Sequence, residues 1–203
     1  MDDSNRKTIA AYESLPGNFV KDTQEKTGDL GENWVNKSIE GLPDTAKILE
    51  IGAGYGRDAR YIGDRGFHVE MTDAAKTFVD ILQDQDPTAH QLDILTDDLD
   101  TEYDLVLANA VLLHLDKGEG ETEFAIRKVF DALKPGGRFA FTLQQGEGYK
   151  WKENKGMGPR FFQYWSKEEI VDLLTAIGFS NVDAWTDAPD SRDVTWIKII
   201  ATK

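Results

Sequence analysis

Three glycines alternate in Gly52-Ala53-Gly54-Tyr55-Gly56, directly after the apolar run Ile48-Leu49-Glu50-Ile51 and directly before Arg57-Asp58-Ala59. Glycine lets the chain turn sharply and lets a ligand approach the backbone, and a helix N-terminus offers amides without intrahelical partners. A strand that runs through such a loop into a helix forms a crevice for a nucleotide-like cofactor. A dinucleotide fingerprint places its third glycine at position 57, where Arg57 stands. Glu50 would repel a pyrophosphate and instead suits a cofactor that carries an ammonium and a sulfonium. Both features disfavour hydride transfer with a nicotinamide.

Asp73 closes the apolar run after His68 and lies 19 positions past Gly54, close to the offset of about 20 at which an acid meets ribose hydroxyls. It also reads as the N-cap of a helix over 74–82. His114, in Val111-Leu112-Leu113-His114-Leu115, reads either as a general base near the crevice or as a hydrogen-bonded structural histidine. His68 and His90 begin strands away from the crevice, and no His/Asp/Glu cluster has metal-ligand spacing.

The stretch Tyr149–Trp165 is rich in glycine and aromatics and reads as a long binding loop. With Tyr12 it supplies the candidate acceptor residues: Trp151, Arg160, Phe161, Phe162, Tyr164 and Trp165. Phe162 and Trp165 also suit a hydrophobic core. Arg160 is the charged member, able to hold a substrate carboxylate or phosphate.

These residues need a scaffold. Short apolar runs at Lys47–Ile51, His68–Met71, His90–Leu92, Asp104–Ala108 and Gly137–Leu143 each precede a helix or turn, the pattern of a parallel sheet built from βαβ units. Val182–Trp185 and Thr195–Ala201 are separated only by Thr186–Asp193, too short for a crossover helix, so they pair antiparallel. The expected fold is α/β: a doubly wound, mostly parallel seven-stranded sheet with an antiparallel C-terminal hairpin and helices on both faces. Ser166 and Glu169 form a capping box before Ile170, Leu173, Leu174 and Ile177, and Gly178 ends that helix. The first forty residues read as two amphipathic helices, 4–15 and 21–41, broken at Pro16-Gly17. No repeat or linker divides the chain, so 1–203 reads as one domain, with a helical lid over 1–43 and a Rossmann-like core over 44–203.

Together these motifs resemble the class I, seven-stranded S-adenosylmethionine-dependent methyltransferases. The resemblance is carried by Glu50–Gly56, Asp73, Leu92-Asp93-Ile94, Tyr103–Asn109 and Leu133-Lys134-Pro135-Gly136-Gly137, and it covers about residues 44–203. It implies S-adenosylmethionine as cofactor and S-adenosylhomocysteine as product. By resemblance, Gly52, Ala53 and Gly54 pass under the methionine part, Glu50 sits near its ammonium, and Asp73, beside Ala74, binds the ribose. Asp93 accepts the adenine amine and Ile94 packs on the ring. Ala108 or Asn109 faces the sulfonium and the acceptor, Tyr12 is the lid tyrosine that meets the cofactor, and the loop 133–137 is architectural. The acceptor is expected to be a small molecule. A methyltransferase acting on nucleic acid or protein, and a non-catalytic S-adenosylmethionine-binding module, are the alternatives.

Composition narrows the partners. A net charge of −14 repels phosphate backbones and anionic membranes, so it disfavours nucleic acid. The absence of cysteine excludes disulfides, thiolate catalysis and Cys-ligated metals. The acidic, polar N-terminus has no apolar signal core, and the longest apolar stretch, 105–115, is too short to span a membrane. The expectation is a cytoplasmic monomer or homodimer.

Overall fold

The computed structural model describes residues 4–14, 30–153, 158–187 and 194–203. Five strands run parallel in the order β3-β2-β1-β4-β5: β1 (Ile48–Ile51), β2 (Val69–Asp73), β3 (His90–Gln91), β4 (Tyr103–Ala108) and β5 (Leu133–Gln145). At the far edge β9 (Trp196–Thr202) pairs antiparallel with both β5 and β8 (Asn181–Thr186). These seven strands form the expected sheet with its reversed C-terminal hairpin.

Side chains alternate across the strands, so each strand feeds two cores. Leu49, Ile51, Val106, Phe139, Phe141 and Ile199 face one side, packed against Ala125, Ile126 and Val129 of α5 (Glu121–Ala132) and Ile170 and Leu174 of α6 (Lys167–Ile177). Ile48, Val69, Leu105, Leu107 and Ile200 face the other side. There they meet Trp34 and Val35 of α2 (Leu30–Ile39), Ile62 of α3 (Arg57–Gly63) and Leu82 of α4 (Lys76–Gln83). Trp34 is fully buried and its indole N–H donates to the Ile199 carbonyl at 3.2 Å, which fixes α2 to the sheet. Ser166 and Glu169 make both bonds of the capping box, at 3.1 and 2.9 Å.

One expectation changes. Tyr149–Trp165 is not a long loop. It folds as β6 (Tyr149–Lys152) and β7 (Arg160–Trp165), an antiparallel hairpin with Trp151 opposite Phe161 and Lys152 opposite Arg160. The end of β7 joins β5 in parallel through Gln144 and Tyr164. Aromatic and long side chains at alternating positions favour a pleated pair, and that periodicity outweighs the glycines. The first helix, α1 (Ser4–Glu13), ends close to its expected limit, whereas the break at Pro16-Gly17 and the front of the second helix lie outside the described residues.

Candidate active site

A cavity of about 620 Å³ opens at the carboxyl ends of β1, β2 and β4, with α1 along one wall. That is the crevice position of doubly wound sheets and an ordinary size for a small-molecule site. Gly52, Gly54 and Gly56 all have positive φ, at 68°, 60° and 74°. The Gly54 amide donates to Asp73 Oδ2 at 3.0 Å, and the Ala75 amide donates to Oδ1 at 2.8 Å. Asp73 therefore braces the glycine loop as well as facing the cavity. It is not the cap of α4, whose N-cap is Ala75. Burial pushes the Asp73 carboxyl up to about 6 in spite of these amides.

Glu50 points to the same side of the sheet as Ile48, toward α3, and it is buried. Its Oε2 has no hydrogen-bond partner. Burial and the neighbouring Asp58 carboxylate hold its pKa well above the usual carboxylate range, although Arg57 opposes this. A buried carboxyl oxygen without a partner, at the edge of a cavity, is a place for a cation. Asp58 is itself held by Arg57, at 2.7 and 2.9 Å, and by the Asn109 amide at 2.7 Å. The Asn109 carbonyl accepts from Thr142 Oγ1 at 2.8 Å, so Asn109 lines the cavity as a fixed member of a network.

Asp93 and Ile94 also line the cavity, as do Ala53 and Ala74. Asp93 Oδ1 accepts from the Leu95 amide at 3.0 Å, and both its oxygens accept from the Asn5 side-chain amide, at 3.2 and 3.1 Å. Asn5 thus pins the first turn of α1 to the acid that the resemblance assigns to adenine.

The third corner joins distant parts of the chain. His114 ends a 3-10 turn (Leu112–His114). Its Nδ1 lies 2.6 Å from the Phe161 carbonyl and its Nε2 lies 2.9 Å from Tyr12 Oη. A carbonyl only accepts, so Nδ1 carries the proton. Burial lowers the His114 pKa to about 4, with the charges of Arg160 and Lys152 adding to the effect, so the ring is neutral. Nε2 is then a bare acceptor and accepts the hydrogen bond donated by the Tyr12 hydroxyl. Arg160 Nη1 donates to Tyr12 Oη at 3.2 Å.

Of the sequence candidates, the cavity collects Tyr12, Glu50, Gly52, Ala53, Gly54, Asp73, Ala74, Asp93, Ile94, Asn109, His114, Arg160 and Phe162. Trp151 and Tyr164 do not line it. Trp151 faces away with its cross-strand partner Phe161, the two rings 5.5 Å apart. Tyr164 sits where β7 meets β5 and packs against Lys152. Phe161 and Trp165 are core residues. His68 and His90 line a separate hollow, with Glu70 and Ile48.

Asn5, Asp58, Gln144 and Lys152 also line the cavity, and none belongs to a sequence motif. Asn5 shares a helix face with Tyr12, seven positions on, and Lys152 alternates with Trp151 as a hairpin requires. Reading those two periods would have found them.

A parallel Rossmann-like sheet, a glycine loop braced by an acid on the second strand and a cavity at the switch in strand order define a nucleotide-cofactor protein. The chain belongs to the methyltransferase-domain family, whose sequence profile matches residues 25–184. It is 26% identical over 200 residues to phosphoethanolamine N-methyltransferase 2 of Caenorhabditis elegans, covering 92% of this chain and 44% of that protein. It is 26% identical over 174 residues to the phosphoethanolamine N-methyltransferase of Plasmodium falciparum, covering 75% of this chain and 64% of that one. The chain therefore spans less than two thirds of either relative. Among solved structures, its fold matches 1,6-didemethyltoxoflavin-N1-methyltransferase of Burkholderia thailandensis, bound to 1,6-didemethyltoxoflavin and S-adenosylhomocysteine. That match has a TM-score of 0.71 and 20% identity, and it covers 98% of this chain and 90% of the other. S-adenosylmethionine fits the residues present: the buried Glu50 oxygen suits its ammonium, Asp73 its ribose, and Asp93 with Ile94 its adenine. No helix among the described residues is long and apolar enough to cross a membrane.

Proposed function

We propose that this chain transfers a methyl group from S-adenosylmethionine to the amine nitrogen of a small-molecule acceptor that also carries an acidic group. The observation that carries this reading is the 2.9 Å contact between Tyr12 Oη and a neutral His114, inside the same cavity as the glycine loop and Asp73. When bound, the cofactor supplies an activated methyl group on a sulfonium, so the chain has mainly to align donor and acceptor. Such alignment is worth about 7–11 kcal/mol of barrier.

An amine attacks only as its free base, and the ammonium product must shed a proton. Tyr12 Oη, whose own proton is directed at His114 Nε2, presents a lone pair to an N–H of the amine and so aims the nitrogen lone pair at the methyl group, and the Phe161 carbonyl holds the ring in the required tautomer. Arg160 steadies the Tyr12 oxygen and offers a guanidinium to an acid on the acceptor. The two phosphoethanolamine N-methyltransferase relatives support an acceptor that joins an amine to an acid.

The net charge of −14 and the absence of cysteine suit a cytoplasmic enzyme acting on small molecules rather than on nucleic acid, as a monomer or homodimer.

Calorimetry against S-adenosylmethionine, with NAD as control, followed by S-adenosylhomocysteine release over a panel of small amino acids and phosphorylated amines, tests the proposal. Micromolar cofactor binding and turnover of at least one amine are expected. Asp73→Ala should weaken cofactor binding more than tenfold. Cofactor binding without turnover of any amine would instead favour a non-catalytic module or a macromolecular acceptor.

A further inference from the structure

Lys152 ends β6 directly opposite Arg160 in β7, and both side chains line the cavity beside His114. Directly opposed residues of an antiparallel pair have Cβ atoms about 4.5–5.5 Å apart, so the two cationic heads can converge on one group. Lys152 Nζ lies 4.1 Å from the centre of the Phe162 ring and 5.4 Å from that of Tyr164. Among the described residues its hydrogen-bond partner is the neutral amide of Gln144, at 3.2 Å, and not a carboxylate. In a chain of net charge −14, an ammonium placed at a cavity wall against ring faces and an amide is set for an anion that comes from outside.

Resting on the acceptor reading above, we infer that Lys152 is a specificity-determining residue that makes this site select a doubly charged phosphomonoester acceptor over a singly charged carboxylate. The planar fork of a guanidinium satisfies a carboxylate by itself, with two parallel bonds. A lysine arriving from the opposing strand adds a second positive charge and a third direction of approach. A phosphomonoester uses both, because it carries about −1.5 to −2 at pH 7 and three acceptor oxygens. A carboxylate held by the guanidinium would leave the ammonium without an anionic partner. Lys152 therefore reads the second charge of the acceptor, and Gln144 holds it in place.

The test is calorimetry on the full chain saturated with S-adenosylhomocysteine, titrated with phosphoethanolamine and, separately, with 3-aminopropanoate. The wild type should bind the phosphomonoester at least tenfold more tightly. Lys152→Met should weaken phosphoethanolamine at least tenfold and 3-aminopropanoate less than threefold, and Lys152→Arg should restore the preference. An unchanged S-adenosylhomocysteine dissociation constant shows that each variant keeps its fold and cofactor site. Equal losses for both ligands, no preference in the wild type, or failure of Lys152→Arg to rescue would overturn the assignment. Binding is read without turnover, so a protein that binds phosphoethanolamine selectively but releases no S-adenosylhomocysteine from S-adenosylmethionine would sink the methyl-transfer reading and leave Lys152's role standing.

Discussion

Tyr12 and His114 stand 102 positions apart and share a hydrogen bond of 2.9 Å, one contributed by the first helix and the other by the turn after β4. Each is placed by a backbone group of the same strand: the Phe161 carbonyl holds His114 at 2.6 Å, and the Phe161 amide donates to Thr8 of α1 at 3.0 Å. The pair is thus set by the docking of α1 on β7, and aiming an amine through the Tyr12 oxygen requires both partners.

Tyr12→Phe and His114→Ala should each lower kcat at least tenfold, and the double variant should be little worse than the poorer single one. Groups that act as a unit are non-additive. Cofactor affinity should be largely kept in His114→Ala. Full additivity, or normal turnover of His114→Ala between pH 6 and 9, would make the histidine structural.

The same histidine should make stability depend on pH. It titrates near 4 when folded and near 6.5 as a free side chain. Between those values the unfolded chain takes up a proton that the folded chain refuses, so stability falls as pH falls through this window, by up to about 3 kcal/mol. Asp73, raised to about 6, has the opposite sign: its protonation favours the folded state as pH falls from about 6 to 4. Urea unfolding of wild type and His114→Gln isolates the histidine. The stability of the wild type relative to the variant should drop on going from pH 7 to 4.5, and a constant difference would contradict the buried neutral ring.

Gly52 and Gly54 should fail in different ways. A Cβ on Gly52 would lie 2.4 Å from Val111 Cγ2, whereas one on Gly54 meets no protein atom within 4 Å. Both carry positive φ, a strain of about 1–2 kcal/mol for an L-residue. Gly54→Val should therefore remain folded by circular dichroism while losing cofactor binding, because its side chain enters the cavity. Gly52→Val should lose stability as well, seen as a lower Tm. Retained cofactor affinity in Gly54→Val would place the cofactor elsewhere.

Glu50→Gln should separate stability from binding. The wild-type carboxyl is buried with one oxygen unsatisfied and Asp58 nearby. Burial already drives this carboxyl toward its neutral form, so an amide of the same shape should leave the Tm of the unliganded protein unchanged or raised by up to about 2–4 °C, while weakening S-adenosylmethionine at least tenfold. A variant that loses stability and keeps its affinity would show that Glu50 serves the fold and not the cofactor.

Much of this protein was legible in the sequence because its signals are local. Alternation of apolar runs with helices gave the sheet, the short 186–193 connection gave the reversed hairpin, and Ser166 with Glu169 gave a cap that depends on neighbours three residues apart. The glycine loop and Asp73 were equally readable, since one βαβ unit brings them together and the 3.0 Å bond from the Gly54 amide follows from that geometry. Contacts between elements far apart in the chain carry no such signature. Nothing near Asn5 announces Asp93, 88 positions on. Lys152 and Arg160 become a pair only when the hairpin register is set, because a shift of one residue would turn one of them to the other face. Residue types and short spacings therefore determined the half of the cavity proposed for the cofactor. Only the tertiary structure decided the half proposed for the acceptor, where the docking of α1 and the pairing of β6 with β7 fix which charged and hydrogen-bonding groups meet.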